Sequence, residues 1–184
     1  VREACDAGIR FMINTGRNFP GAMAELKDTD LVCDYIVSSG AEVRNPRQEV
    51  VMTQPMSMEL CREVYARIRE FPISMVVCTD GADYRIGTLE EVEESIILEL
   101  LLFHTDMSRE EVCQTVLYRQ MKERTKSVPD LEDLGRAGIP VYKLFLFAED
   151  LEMLGKMKAR LEENPEIAVA SSFPTNLEIT DVRA

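Results

Sequence analysis

Apolar positions change their spacing along this chain several times, and each change marks an element. Residues 9–17 read IRFMINTGR, in which Phe11, Met12 and Ile13 form a short apolar run that predicts a buried strand. The run breaks into Thr15, Gly16 and Arg17, and residues 17–27 continue with helical character. Ahead of it, residues 1–7 read as the last turns of a helix closed by Gly8. A strand is expected over 34–37, then a tight passage through Ser38, Ser39 and Gly40. A hairpin over 42–52 turns at Asn45, Pro46, Arg47 and Gln48. Ser57 caps a helix running to Phe71, with Leu60, Val64 and Ile68 at four-residue spacing on its buried side.

The second half alternates in the same way. Strands are expected over 74–78 and 84–87, joined by the turn Thr79 to Asp83. Thr88 with Glu91 and Ser108 with Glu111 have capping-box spacing, and they open helices predicted over 89–103 and 109–126. Val128 before Pro129 ends the second, because the residue before a proline avoids helical geometry. A short helix over 131–136, a strong strand over 141–147, a helix over 150–163 and a final strand pair over 167–171 and 177–180 complete the chain. No internal repeat or low-complexity tract interrupts the series.

Past residue 50, strands joined by hairpins or single helices predict an open, largely antiparallel sheet with helices on one face, an α+β unit. The first 50 residues have α/β character with too few strands to bury both faces of a parallel sheet. Both ends of the chain look cut, since it opens inside a helical pattern without an initiator Met. The expected organisation is a partial core over 1–50, a cap over 51–181 and the start of a return to the core over 182–184.

A net charge of −12 with no basic stripe disfavours nucleic acid and anionic membranes as partners, because both need concentrated positive charge. Cys5, Cys33, Cys61, Cys78 and Cys113 are odd in number and contain no C-x-x-C pair, so free thiols in a reducing cytoplasm are the simplest account. With His104 as the only histidine, the spacing argues against a structural zinc site. The apolar run IILELLLF is too short to span a bilayer and is broken by Glu99, and no signal peptide is expected.

The candidate chemistry sits at Thr15, Gly16 and Arg17. A hydroxyl, free backbone N–H groups and a guanidinium at the carboxyl end of a strand make a seat for an anion such as phosphate. Thr15 has a competing reading as the N-cap of the following helix. Arg17 has one as the ion-pair partner of an acid such as Glu42. Gly16 either lets the backbone approach a ligand or permits the turn. Elsewhere ordinary structure suffices: Asp80 belongs to a solvated turn, His104 to a helix C-terminus, the acids at 90, 91, 93 and 94 to a solvated helix start, and the methionines to the core.

With the TGR strand in place, the whole chain resembles the haloacid dehalogenase-like phosphatases of the Cof type. The residues that carry the likeness are INTGR at 13–17, SSGAEV at 38–43, TDGADY at 79–84, KLFLFAED at 143–150 and VASSFPTNLEIT at 169–180. The resemblance implies an α/β haloacid dehalogenase-like, Rossmann-like core, incomplete here, carrying an α+β cap on a largely antiparallel sheet. It implies a phosphomonoester hydrolase that uses Mg²⁺ and an aspartyl-phosphate intermediate on a small phosphorylated metabolite such as a sugar phosphate. Thr15 takes the place of the phosphoryl-binding residue of the second motif, while Gly16, Arg17, Ser39 and Gly40 take substrate-binding places, with Ser39 where the family commonly has Asn. The nucleophilic Asp, the Lys of the third motif and the Mg²⁺ ligands are expected outside this chain, which alone is expected to be inactive. A non-catalytic ligand-binding or interaction module that keeps the cap is the alternative. An exposed edge of the cap sheet leaves a homodimer open.

Overall fold

The computed structural model describes residues 1–184, the side chain of Arg2 excepted. Helix α1 (Arg2–Asp6) leads to strand β1 (Met12–Asn14), helix α2 (Phe19–Leu26) and strand β2 (Asp34–Val37), which pairs parallel to β1. A hairpin of β3 (Glu42–Arg44) and β4 (Val50–Thr53) adds antiparallel to β2, giving a four-stranded sheet in the order β1-β2-β3-β4. Ala22, Cys33, Tyr35 and Val37 form its small buried cluster, with the Phe19 ring edge-on to Tyr35 at 5.4 Å. The strand expected to be buried is an edge here. β1 pairs only with β2, and Met12 is 47% exposed.

The second sheet has six strands in the order β7-β6-β5-β8-β10-β9. They are β5 (Ser74–Thr79), β6 (Asp83–Ile86), β7 (Thr125–Val128), β8 (Val141–Phe147), β9 (Ile167–Ala170) and β10 (Asn176–Asp181). All neighbours are antiparallel except β6 and β7. Strand β7 corrects the helix expected over 109–126. That segment folds as α5 (Arg109–Gln114) and α6 (Val116–Arg124), broken where extended Thr115 caps α6 by accepting from the Tyr118 N–H at 3.0 Å. Thr125 to Val128 then pairs with the free edge of β6, where branched Thr125 and Val128 suit a strand.

Helices α3 (Met58–Ile68), α7 (Leu131–Arg136) and α8 (Leu151–Leu161) pack on one face of this sheet. Leu60, Val64 and Ile68 meet Val77, Leu144, Leu146, Leu177 and Ile179 there, the largest core of the molecule. Each such side chain contributes about 1.5–3 kcal/mol on burial. The opposite face was expected to be free of helices, and it is not. Helix α4 (Leu89–Phe103) directs Ser95, Glu99 and Phe103 onto it: Arg85 of β6 donates to Ser95 and Glu99, and Phe103 packs against Phe145 and Phe173. The other side of α4, through Val92, Ile96 and Leu100, packs on Val112 of α5 and Tyr118 of α6.

The chain crosses from one sheet to the other directly after β4. The Gln54 N–H donates to the Ala41 carbonyl at 2.7 Å and extends the β3–β4 hairpin, and two residues on the Met56 N–H donates to the Val141 carbonyl of β8 at 2.8 Å. At the other end of the chain Ala184 lies against Gly40. Gly40 has φ 104, and a Cβ there would fall 2.7 Å from the Ala184 carbonyl carbon, so conformation and space both require glycine.

Candidate functional site

The site begins where β1 and β2 run out side by side. The Thr15 N–H continues the ladder to the Ile36 carbonyl at 3.0 Å, and the two following turns then bond each other. The Ser38 N–H donates to Arg17 at 2.7 Å and the Ser39 N–H to Thr15 at 3.2 Å. Ser38 and Ser39 hold φ of 53 and 58, the left-handed region that non-glycine residues enter at a cost of about 1–3 kcal/mol each. Helix α2 is capped by Asn18, whose Oδ1 accepts from the Gly21 N–H at 3.0 Å, so Thr15 is not its N-cap. The Thr15 Oγ1 instead accepts from the Arg17 N–H at 3.2 Å within the turn. Arg17 pairs with Glu25 at 3.1 Å rather than with Glu42, which Arg44 engages at 2.6 Å.

Two residues of the second sheet reach this turn. Lys143 of β8 donates to the Gly16 carbonyl at 2.9 Å, to Ser39 Oγ at 3.3 Å and to Glu178 of β10 at 2.8 Å. Ser39 Oγ also donates to Glu178 at 3.1 Å, and Ser172 donates to the other carboxylate oxygen at 2.8 Å. Burial alone would raise the Glu178 carboxyl, but the bonds from Lys143, Ser172 and Ser39 hold it below the usual range. Sequence reasoning missed both residues as site members. The available signal was a charge inside an apolar strand: Lys143 interrupts VYKLFLF, and Glu178 lies between Leu177 and Ile179.

Beside this contact a cleft of about 460 Å³ opens between the sheets. Gly16, Arg17 and Asn18 line one wall, and Cys78, Asp83, Arg124 and Lys126 belong to the other. Burial pushes the Cys78 thiol up, so it is a neutral group at the cleft wall. Burial likewise raises the Asp83 carboxyl, opposed by Arg85 and Lys143. Of the predicted site residues, Gly16 and Arg17 thus face the cleft, Ser39 faces Lys143 and Glu178, and Gly40 backs onto Ala184. Among the described residues no three His, Cys, Asp or Glu side chains converge to hold a metal. The carboxylate that reaches the 15–17 turn, Glu178, is already held by Lys143, Ser39 and Ser172, a poor donor for Mg²⁺, which takes near-octahedral oxygens from one or two carboxylates plus phosphate and water.

The remaining candidates sit in ordinary structure. Asp80 is exposed in the turn held by Thr79 and Ala82, and the His104 N–H closes α4 onto Leu100. The acids at the start of α4 are more than a solvated face. Glu91 completes a capping box, Glu93 accepts from Tyr118 and pairs with Lys122, and Glu94 pairs with Arg109.

The sequence profile of the haloacid dehalogenase-like hydrolases matches residues 1–183. The chain belongs to this family. A curated relative, the 5-amino-6-(5-phospho-D-ribitylamino)uracil phosphatase YwtE of Bacillus subtilis, is 24% identical over 181 residues, covering 97% of this chain and 62% of that protein. A solved haloacid dehalogenase-like hydrolase from B. subtilis superposes with a TM-score of 0.78 at 17% identity, over 100% of this chain and 65% of that one. A sugar phosphatase of haloacid dehalogenase subclass IIB superposes at 0.62 and 17% identity, over 98% of this chain and 59% of that one. These structures share the fold, the haloacid dehalogenase-like α/β arrangement with a cap-like domain. The chain therefore spans about three fifths to two thirds of the length of the relatives it matches. No helix among the described residues is long and apolar enough to cross a membrane.

Proposed function

We propose that this chain carries the phosphate seat and cap of a Cof-type phosphomonoester hydrolase acting on a small phosphorylated metabolite such as a sugar phosphate. The observation that carries the reading is the 15–17 turn at the end of a parallel strand pair: Gly16 and Arg17 line a cleft whose far wall brings Arg124 and Lys126, and Thr15 precedes them outside the lining. Arg17, Arg124 and Lys126 outnumber the two acids of the lining, Asp83 and Glu123, which supports an anionic substrate at this cleft on a protein of net charge −12. Family membership and the phosphatase names of its relatives support the same reading.

In this reading the Thr15 hydroxyl donates to a phosphoryl oxygen and the Arg17 guanidinium spreads positive charge over the others. Gly16 brings the backbone of the turn to the cleft, and Ser39 and Gly40 shape the seat from the neighbouring turn. The cap excludes bulk water. A carboxylate nucleophile outside residues 1–184 attacks phosphorus and displaces the alcohol, and water then hydrolyses the aspartyl phosphate. The Mg²⁺ dependence of the reaction rests on ligands other than those of this chain. The five cysteines are all free thiols, in keeping with a reducing cytoplasm.

Assay of the full protein against a panel of phosphate esters with Mg²⁺ tests the proposal, with Thr15→Ala as the internal control. Loss of one preorganised donor to the phosphoryl group is expected to lower kcat about 10²–10³-fold. Inactivity of well-folded protein across the panel overturns the hydrolase reading and favours a binding module.

A further inference from the structure

Lys143 and Glu178 lie on the sheet face turned toward the phosphate seat, with side chains only 7% and 15% exposed. A buried ion pair is a costly device, and desolvation commonly cancels most of its attraction. The fold does not demand charge at this position. On the same face of β8 the next positions are Phe145 and Phe147, so aromatic residues fit between α4 and the sheet. What the lysine adds is direction. An ammonium has three protons, and all three find acceptors: the Gly16 carbonyl, Ser39 Oγ and Glu178 Oε2. Two of these belong to the two turns that build the seat, and the third is an anchor within its own sheet. Glu178 is fixed in turn by Ser39 and Ser172.

Gly16 gives a second, independent observation. Its φ is not in the left-handed region, so the turn itself does not require glycine. The constraint comes from the clamp: a Cβ at 16 would stand 3.2 Å from Lys143 Nζ, 3.2 Å from Ser39 Oγ and 3.4 Å from Glu178 Oε2. The first two distances are tighter than most Cβ contacts, so a side chain at 16 would shift the Lys143 and Ser39 groups by a few tenths of an ångström. Ser39 fits the same account, since its left-handed backbone carries the hydroxyl that bridges lysine and glutamate.

We propose that Lys143 and Glu178 are positioning residues that couple the cap to the phosphate seat, pinning the Gly16 carbonyl and Ser39 so that the 15–17 and 38–40 turns hold their shape while the cap is docked. The proposal rests on the phosphate-seat reading for its catalytic consequence, but the clamp itself is measurable without turnover.

The test uses the full protein and the variants Lys143→Met, Glu178→Gln and Ser39→Ala. Amide hydrogen exchange is followed over 15–17 and 38–40, together with kcat and KM on a phosphate ester. In K143M, exchange in both turns is expected to quicken at least about 10-fold while the cap helices stay protected, because a lost tether exposes local openings rather than global ones. Its kcat is expected to fall about 10–100-fold with a smaller change in KM, as for a seat misplaced by a fraction of an ångström. E178Q keeps an oxygen that accepts from Lys143, so its effects should lie between wild type and K143M.

Unchanged exchange in both turns of a folded K143M overturns the proposal, whether or not activity falls; lost activity with unchanged turns would make Lys143 a group acting on substrate. Should K143M fail to fold, S39A decides: faster exchange over 38–40 upholds the clamp, and wild-type rates there overturn it. If the wild-type protein hydrolyses no phosphate ester, the hydrolase reading falls while the exchange data still judge the clamp.

Discussion

The two faces of the six-stranded sheet are built by alternate residues of the same strands and follow different physical rules. On one face Val77, Leu144, Leu146, Leu177 and Ile179 meet three helices in one apolar cluster. On the other stand Cys78, Asp83, Arg85, Lys143 and Glu178, spread over two neighbouring cross-strand rows and joined by Glu99 from α4. The side-chain period of two lets a single strand serve both, so Leu144 locks the core while its neighbour Lys143 addresses the seat. Charge survives on the second face because it is paired, and an unpaired group there would be expensive. The first face sets how stable the fold is; under the proposal the second sets where the 15–17 and 38–40 turns stand.

Removing one partner on the charged face should have the largest effect. Arg85 is buried, its Nε has no hydrogen-bond partner among the described residues, and its guanidinium serves Ser95 and Glu99. Arg85→Met strands the Glu99 carboxylate, and urea unfolding should show a loss of about 3–5 kcal/mol. The double variant R85M/E99L should recover most of that loss, since apolar replacement of a buried pair is often neutral. A single variant within about 1 kcal/mol of wild type would mean that the pairing on this face contributes little, contrary to the magnitude expected for a buried pair.

Leu144→Ala probes the other face of the same strand segment. The cavity it leaves should cost about 2–5 kcal/mol in urea unfolding, with amide exchange over 15–17 unchanged once scaled to the new global stability. K143M should do the reverse in its local effect. Identical exchange patterns for these adjacent substitutions would erase the functional division between the faces.

A smaller and more diagnostic effect lies in the acid limb of stability. Glu178 has its folded pKa held below the ordinary 4.5, so it contributes stability that is present above 4.5 and lost as pH falls through the folded value. Glu99 is shifted the opposite way, because burial raises it more than Arg85 lowers it. Its charged form is therefore destabilising above the folded value, and the penalty lifts as pH falls through that value toward 4.5. Stability measured from pH 7 downward should fall less steeply in E178Q than in wild type, and more steeply in E99Q. Slopes changing in the same direction for both variants would contradict the assignment.

Much of the architecture was legible in the chain because local signals were strong. Capping boxes at Thr88 and Ser108, the turn at 45–48 and the apolar run of β8 each have one dominant local solution. The errors came where tertiary pairing overrode local preference. Thr125 to Val128 becomes a strand because β6 offers a free edge, and α4 crosses the second sheet face because Arg85 and Phe145 receive its Ser95–Glu99–Phe103 stripe. The site was legible only on its core side. Thr15, Gly16 and Arg17 announce themselves by sitting where a strand stops, whereas Lys143 and Glu178 lie 127 and 162 residues beyond Gly16. No spacing rule brings them there; the register of β8 on β10 does, by setting the two side chains on one face.

The smallest stability effect belongs to an ion pair outside either face. Arg17 and Glu25 meet at 3.1 Å with side chains 59% and 64% exposed. Water screens such a pair, and Glu25→Gln should change unfolding free energy by less than about 0.5 kcal/mol. Arg17→Ala should be equally mild by urea unfolding, because the guanidinium packs against no core cluster. Its effect should appear instead in binding of orthophosphate or tungstate by the full protein, since the guanidinium lines the cleft beside the 15–17 turn. Weaker anion binding in R17A with E25Q unaffected assigns Arg17 to the seat. Equal binding in wild type, R17A and E25Q leaves the pair as a surface contact and removes Arg17 from the proposed chemistry, while Thr15 and the clamp behind it remain to be judged by their own variants.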